Sequence, residues 1–169
     1  MSEKKQVLYD LRTAYIGPFV VEDFYAEVDK WIKSNNYEKE PKKKLEQVTK
    51  EGKKIQYVIE IYNHLDELNH GVIVLTVLFD NVKEMVIKRD NKKMKVNNGD
   101  AMIHIDGFID SHLHGSIYAV KPVFSFAREI IDKFIWNFKG RYDSKVNSDG
   151  RALFKAIQAF FNVQKMKYE

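Results

Sequence analysis

Between residues 101 and 113 the chain alternates, with Ala101, Ile103, Ile105, Ile109 and Leu113 at odd positions and Met102, His104, Asp106, Asp110 and His112 at even ones. A period of two is that of a β-strand with one apolar and one polar face. Such a strand is stable only beside other strands and under a layer that covers its apolar side. The period then lengthens: Val123, Phe126, Ala127, Ile130, Ile131, Phe134, Ile135 and Phe138 recur at three- and four-residue spacing. That is the wide apolar stripe of a helix, which must be buried to hold the helix together. Pro122 fits the start of this helix and Gly140 its end. A half-buried strand running into a covering helix predicts an α+β fold.

The rest of the chain extends the same pattern. Val7, Tyr9, Leu11 and Tyr15 alternate in a first strand that Gly17-Pro18 interrupts. Val21, Phe24, Tyr25, Val28, Trp31 and Ile32 then have helical spacing, with Glu22 and Asp23 where the helix dipole favours acids. A lysine-rich stretch, residues 39–54, predicts a short edge strand over 43–49, since lysines guard edges against pairing with other chains. Ile55, Tyr57, Ile59 and Ile61 alternate in the next strand, and residues 72–79 are apolar on both faces, as in the middle of a sheet. A hairpin is predicted at Arg89-Asp90-Asn91-Lys92 and a second turn at Asn97-Asn98-Gly99-Asp100. The total is an antiparallel sheet of six or seven strands. A polar connection over 141–147 and a last helix from Ser148, its N-cap, carrying Leu153, Phe154, Ile157, Phe160, Phe161 and Met166, complete the chain.

Composition narrows the function classes. The chain of 169 residues is read as one domain, 1–169, with enough apolar residues for a core. It has no cysteine, which excludes a thiol nucleophile, a disulfide framework and cysteine-ligated zinc, and fits a cytoplasmic location. The longest apolar run, residues 71–79, is too short for a membrane-spanning helix. The net charge of +4 is carried mostly by lysine, which supplies point charge without the bidentate geometry of arginine.

The run Gly107-Phe108-Ile109-Asp110-Ser111-His112-Leu113-His114-Gly115 resembles the metal motif that ends the first strand of amidohydrolase barrels. That resemblance implies a catalytic metal on the two histidines. Only 55 residues follow His114, however, and none is a histidine; a barrel of that type needs roughly 250 residues and further ligands at later strand ends. The strand alternation alone places both histidines on the polar face. The expectation is therefore no metal and no cofactor, with His64, His70 or Asp110 the only candidates to assist if a metal bound.

The order of strand, helix, antiparallel meander and long helix over residues 6–139 resembles the helix-grip fold of the START and Bet v 1-like proteins. That resemblance implies a curved sheet wrapped around the long helix; the helix over residues 148–168 is an addition to that pattern. It also implies a cavity for an apolar small molecule or lipid. The lining residues would be Tyr57, Ile59, Ile61, Ile103, Ile105 and Ile109 from the sheet, with Ile55 beside them, and Phe126, Ile130, Phe134 and Phe138 from the helix.

The expected function is a binding domain rather than an enzyme. No phosphate loop, nucleophile elbow or metalloprotease helix is present. The nearest approach to acid–base chemistry is the group His104, Asp106, Asp110, His112 and His114 on one strand face. An alternative is an RNA- or ribosome-associated protein using Lys88, Arg89, Lys92, Lys93 and Lys95 on the hairpin, supported by Lys42, Lys43, Lys44, Lys53 and Lys54. A third is a protein-interaction domain with a packed core, whose partner or second copy docks on Phe160 and Phe161.

Overall fold

The computed structural model describes the backbone of residues 2–112 and 125–169, and the side chains of residues 4–111 and 140–169. The elements run β1 (Ser2–Phe19), α1 (Val21–Ser34), β2 (Glu38–Val48), β3 (Lys53–His64), β4 (Asn69–Arg89), β5 (Lys92–His112) and α2 (Ser125–Tyr168). All strand pairs among the described residues are antiparallel, in the order β1-β5-β4-β3-β2, so β1 lies beside β5. The fold is α+β.

Among the described residues the sheet has five strands in place of the six or seven expected, because residues 72–79 run on into the hairpin strand and residues 97–100 do not turn. Residues 69–89 form one strand that absorbs a bulge between Asp80 and Lys83, where Asn81 has a φ of 53°. A bulge inserts a residue, bends the strand and leaves pairing to resume beyond it. Asn97-Asn98-Gly99-Asp100, expected to turn, lies inside β5 and pairs with β1 on one side and β4 on the other. Gly99 is needed there for closeness: a Cβ would sit 2.8 Å from the Asp80 carbonyl oxygen and 3.0 Å from Val82 Cα. The turn expected at Asp90-Asn91 does form. Both residues have positive φ, 50° and 61°, and link the paired residues Arg89 and Lys92, the two-residue geometry that matches strand twist.

β2 begins earlier than expected, at Glu38, and all its residues are exposed. It lies at the sheet edge, where Pro41 sits at a bulge and lysines discourage further pairing.

The helical part differs most from expectation. One helix of 44 residues replaces two, so the polar connection over 141–147 and the N-cap at Ser148 do not exist. Gly140 lies within the helix, with nothing within 4 Å of where a Cβ would be. The reason for continuity is visible at Val146, fully buried in the supposed connection. It packs over two strand glycines: a Cβ on Gly71 would lie 2.8 Å from Val146 Cγ2, and one on Gly107 would lie 3.2 Å from Val146 Cγ1. One turn on, Gly150 faces Leu8, whose Cδ2 would be 2.3 Å from an added Cβ. Three glycines thus let α2 lie close on β1, β4 and β5.

Beyond this crossing the helix buries Leu153, Ile157, Phe160 and Phe161. Phe161 stacks on Tyr15 at 4.7 Å between ring centres and on Phe24 at 5.7 Å, while Phe19 and Phe24 meet Phe79 at 5.1 and 5.3 Å. Each such pair contributes about 0.5–1.5 kcal/mol beyond its burial. Leu153, Ile157, Phe160 and Phe161 are therefore part of the core, and Phe160 and Phe161 are not an exposed docking surface. Met166, expected on the apolar face, is 76 % exposed.

The polar groups at the start of α1 are satisfied from a distance. Val20, its N-cap, offers no side-chain cap. Instead the Val20 N–H donates to Oε1 of the buried Gln164 at 3.2 Å, and the Val21 N–H donates to Asn97 Oδ1 at 3.3 Å. No helix among the described residues is long and apolar enough to cross a membrane.

Candidate functional site

The inner face of the sheet holds the sheet half of the expected lining. Ile55, Ile59, Ile61, Ile103, Ile105 and Ile109 are all buried there, at 3 % exposure or less. They belong to one cluster with Val28, Ile32, Val146, Leu153 and Ile157. Tyr57 is half-buried and meets Tyr25 edge to face at 5.0 Å. The side chains of the other half, Phe126, Ile130, Phe134 and Phe138, lie outside the described residues. Where α1 meets α2, between Phe24, Trp31, Leu153 and Phe160, no space for a water molecule remains.

Open volume lies at one end of this core. The N-terminus of α1, the β2–β3 turn and the base of the β4–β5 hairpin surround a cleft of about 540 Å³. Val21, Tyr25, Ile55 and Val82 give it an apolar floor, and Val48 stands at its edge, 86 % exposed. Four lysines, Lys44, Lys50, Lys53 and Lys83, are matched by four glutamates, Glu22, Glu46, Glu51 and Glu84. Lys53 and Glu46 pair at 2.9 Å, and the Lys44 ammonium sits 5.2 Å from the centre of the Tyr25 ring. The Tyr25 hydroxyl is buried and has no hydrogen-bond partner among the described residues. Burial, with Glu46, Tyr57 and Glu22 nearby, pushes its pKa up to about 12. Gly52 makes the turn that walls the cleft, at φ 152°, and a Cβ there would lie 2.8 Å from the Asn81 carbonyl carbon.

The outer face carries the acid–base group, altered in membership. His104 Nε2 lies 2.8 Å from Asp10 Oδ1 and 3.3 Å from Asp106 Oδ2, close enough for ion pairs but not aligned as a hydrogen bond. Asp10 reaches this position because β1 bulges between Gln6 and Leu11, leaving Asp10 at φ 50°. The Asp10 N–H and Gln6 Nε2 both donate to Asp106 Oδ1, at 2.9 and 3.0 Å, and Arg12 pairs with the Asp10 carboxylate. Asp110 pairs across the sheet with His70, whose ring centre is 4.4 Å from that of His64. The His112 side chain and all of His114 lie outside the described residues. Among the described residues no three His, Asp or Glu side chains are placed to hold a metal. Gly107 of the motif has a structural role, as the seat of Val146 and Leu8.

The hairpin lysines divide between two faces. In the β4–β5 register Val86 pairs with Lys95 and Lys88 with Lys93, while Ile87 pairs with Met94 and Arg89 with Lys92. Side chains alternate along each strand, so Lys88, Lys93 and Lys95 share one face, and Arg89 and Lys92 the other. Arg89 Nη1 donates to the Lys167 carbonyl oxygen in the last turn of α2, a favourable place for a cation. The lysines of β2 and β3 are largely engaged: Lys42 with Glu40 and Glu60, Lys53 with Glu46, and Lys54 with Asp80 at 4.0 Å.

No protein-family model matches the chain, and no characterised protein matches it in sequence.

Sequence reasoning found the inner isoleucines and the hairpin. It missed the cleft and Asp10, because both depend on bulges that place residues distant in sequence together. Asp90-Asn91 carries a turn signature; the left-handed Asp10 carries none.

Proposed function

We propose that this chain is a binding domain for a small amphipathic molecule, held in the cleft at the N-terminus of α1. The observation that carries the reading is the cleft itself: about 540 Å³, with an apolar floor formed by Val21, Tyr25, Ile55 and Val82. Ligand sites commonly have volumes of about 300–1,000 Å³, a range that includes this cleft. The equal numbers of lysine and glutamate around the rim favour a zwitterionic or uncharged polar head over a strongly anionic one. The likeness in element order to the helix-grip proteins supports an apolar or lipid-like body, in line with the isoleucine-rich inner face next to the cleft.

The test is titration with dodecylphosphocholine below its micelle concentration, monitored by native mass spectrometry. One bound molecule is expected. Val48→Trp, at an exposed rim position, should weaken binding at least tenfold with the thermal midpoint unchanged. Failure to bind, or equal binding by Val48→Trp, refutes the assignment.

A further inference from the structure

The β4–β5 hairpin reaches past its neighbours. β3 pairs with β4 only as far as Val82 and β1 pairs with β5 only as far as Asn97, so residues 85–96 stand as a two-stranded ribbon. Its two faces are unlike. Ile87 and Met94 are half-buried and Val96 is buried on one, where Arg89 is tied to the end of α2. The other presents Lys88, Lys93 and Lys95, all exposed, and no ion pair is formed by any of them among the described residues.

We propose that this lysine face docks on the phosphate backbone of a double-stranded nucleic acid. Lys88 and Lys93 stand directly opposite each other, an arrangement that destabilises a hairpin by mutual repulsion and that a polyanion would neutralise. Lys93 and Lys95 are two residues apart on one strand, about 6–7 Å at the strand rise, comparable to the separation of successive phosphates. A two-stranded ribbon has a width that the major groove of a duplex admits. The ribbon has no aromatic residue, so it lacks the stacking platforms that hold single strands. It also lacks the tryptophan or tyrosine typical of membrane-interface anchors. With lysine in place of arginine, and Val86 the one other ladder-paired side chain on this face between residues 85 and 96, recognition is of backbone and not of base sequence.

The ribbon's base contributes Val82, Lys83, Glu84 and Asn97 to the cleft, yet the proposal stands independently of any ligand there. The experiment is fluorescence anisotropy with a 20-base-pair duplex, as DNA and as RNA, from 50 to 200 mM salt. Three neutralised phosphates predict a log–log salt slope of about −2.7, hence roughly a 40-fold loss of affinity across that range. Each single Lys→Gln change at 88, 93 or 95 should reduce the slope by about 0.9. A control lacking three other exposed lysines, Lys30→Gln with Lys33→Gln and Lys155→Gln, has the same net charge as the ribbon triple variant and should keep the wild-type slope. Equal losses in the two triple variants would overturn the proposal. So would tighter binding to a single strand of the same length, or binding to phosphatidylserine vesicles without duplex binding. Val48→Trp should leave duplex binding intact, which separates this outcome from that of the cleft.

Discussion

Replacing Gly107 with alanine tests whether the histidine motif owes its glycine to packing. The new Cβ would lie 2.8 Å from Leu8 Cβ and 3.2 Å from Val146 Cγ1. Leu8 Cβ is fixed to the backbone of β1 and Val146 is wholly buried, so neither neighbour can swing aside. Overpacking of this kind costs about 1–3 kcal/mol, against a gain of about 0.5–1 kcal/mol from removing a glycine from a strand. A net loss of up to about 2.5 kcal/mol corresponds to a fall in thermal midpoint of up to roughly 10 °C for a chain of this size. Circular dichroism melting gives the value directly. Val146→Ala removes one of the two colliding groups at its own cavity cost. In the double variant the combined loss should therefore fall short of the sum by about 0.5 kcal/mol or more. A Gly107→Ala protein that melts at or above the wild-type temperature, or losses that simply add, would refute this reasoning.

Gln164→Leu should destabilise the protein by about 1–3 kcal/mol, because the Val20 N–H at the start of α1 loses its acceptor; hydrogen exchange should show the first turn of α1 opening more readily than the rest of that helix. Tyr25 has a folded-state pKa raised above its unfolded value, so its contribution to stability is complete below about pH 10 and is lost as pH rises toward 12. Absorbance titration near 295 nm should show a late tyrosinate that disappears in Tyr25→Phe; an unchanged titration would contradict the burial described.

Local periodicity made the strands legible. Alternation placed Ile55, Ile59, Ile61, Ile103, Ile105 and Ile109 on one buried face, and the apolar stripe after Pro122 announced a helix whose backbone is present from Ser125. Punctuation was less reliable. Asn98-Gly99 and Gly140 look like turn and helix-end signals, but Gly99 serves a close approach to Asp80 and Val82, and Gly140 sits in a helix held by contacts further along. Single-residue signals cannot tell a glycine needed for conformation from one needed for proximity. The cleft and the Asp10–His104 contact were invisible for another reason. Bulges in β1 and β4 shift the register by one residue, and a shift of one reverses which face each later side chain occupies.

Val146 also has a consequence for the far end of α2. An α-helix completes a turn every 3.6 residues, so a side chain fixed in direction at one position sets the azimuth of all others along a stiff rod. Gln164 follows Val146 by 18 residues, five whole turns, and so points the same way; Leu153 and Ile157 lie within about 20° of that line. The phase chosen where α2 crosses the strand glycines is thus the phase that aims a buried amide at the opening N–H of α1. The two methyl groups of Val146 seated over Gly71 and Gly107 and a hydrogen bond at Val20, at opposite ends of the same row, are parts of one alignment.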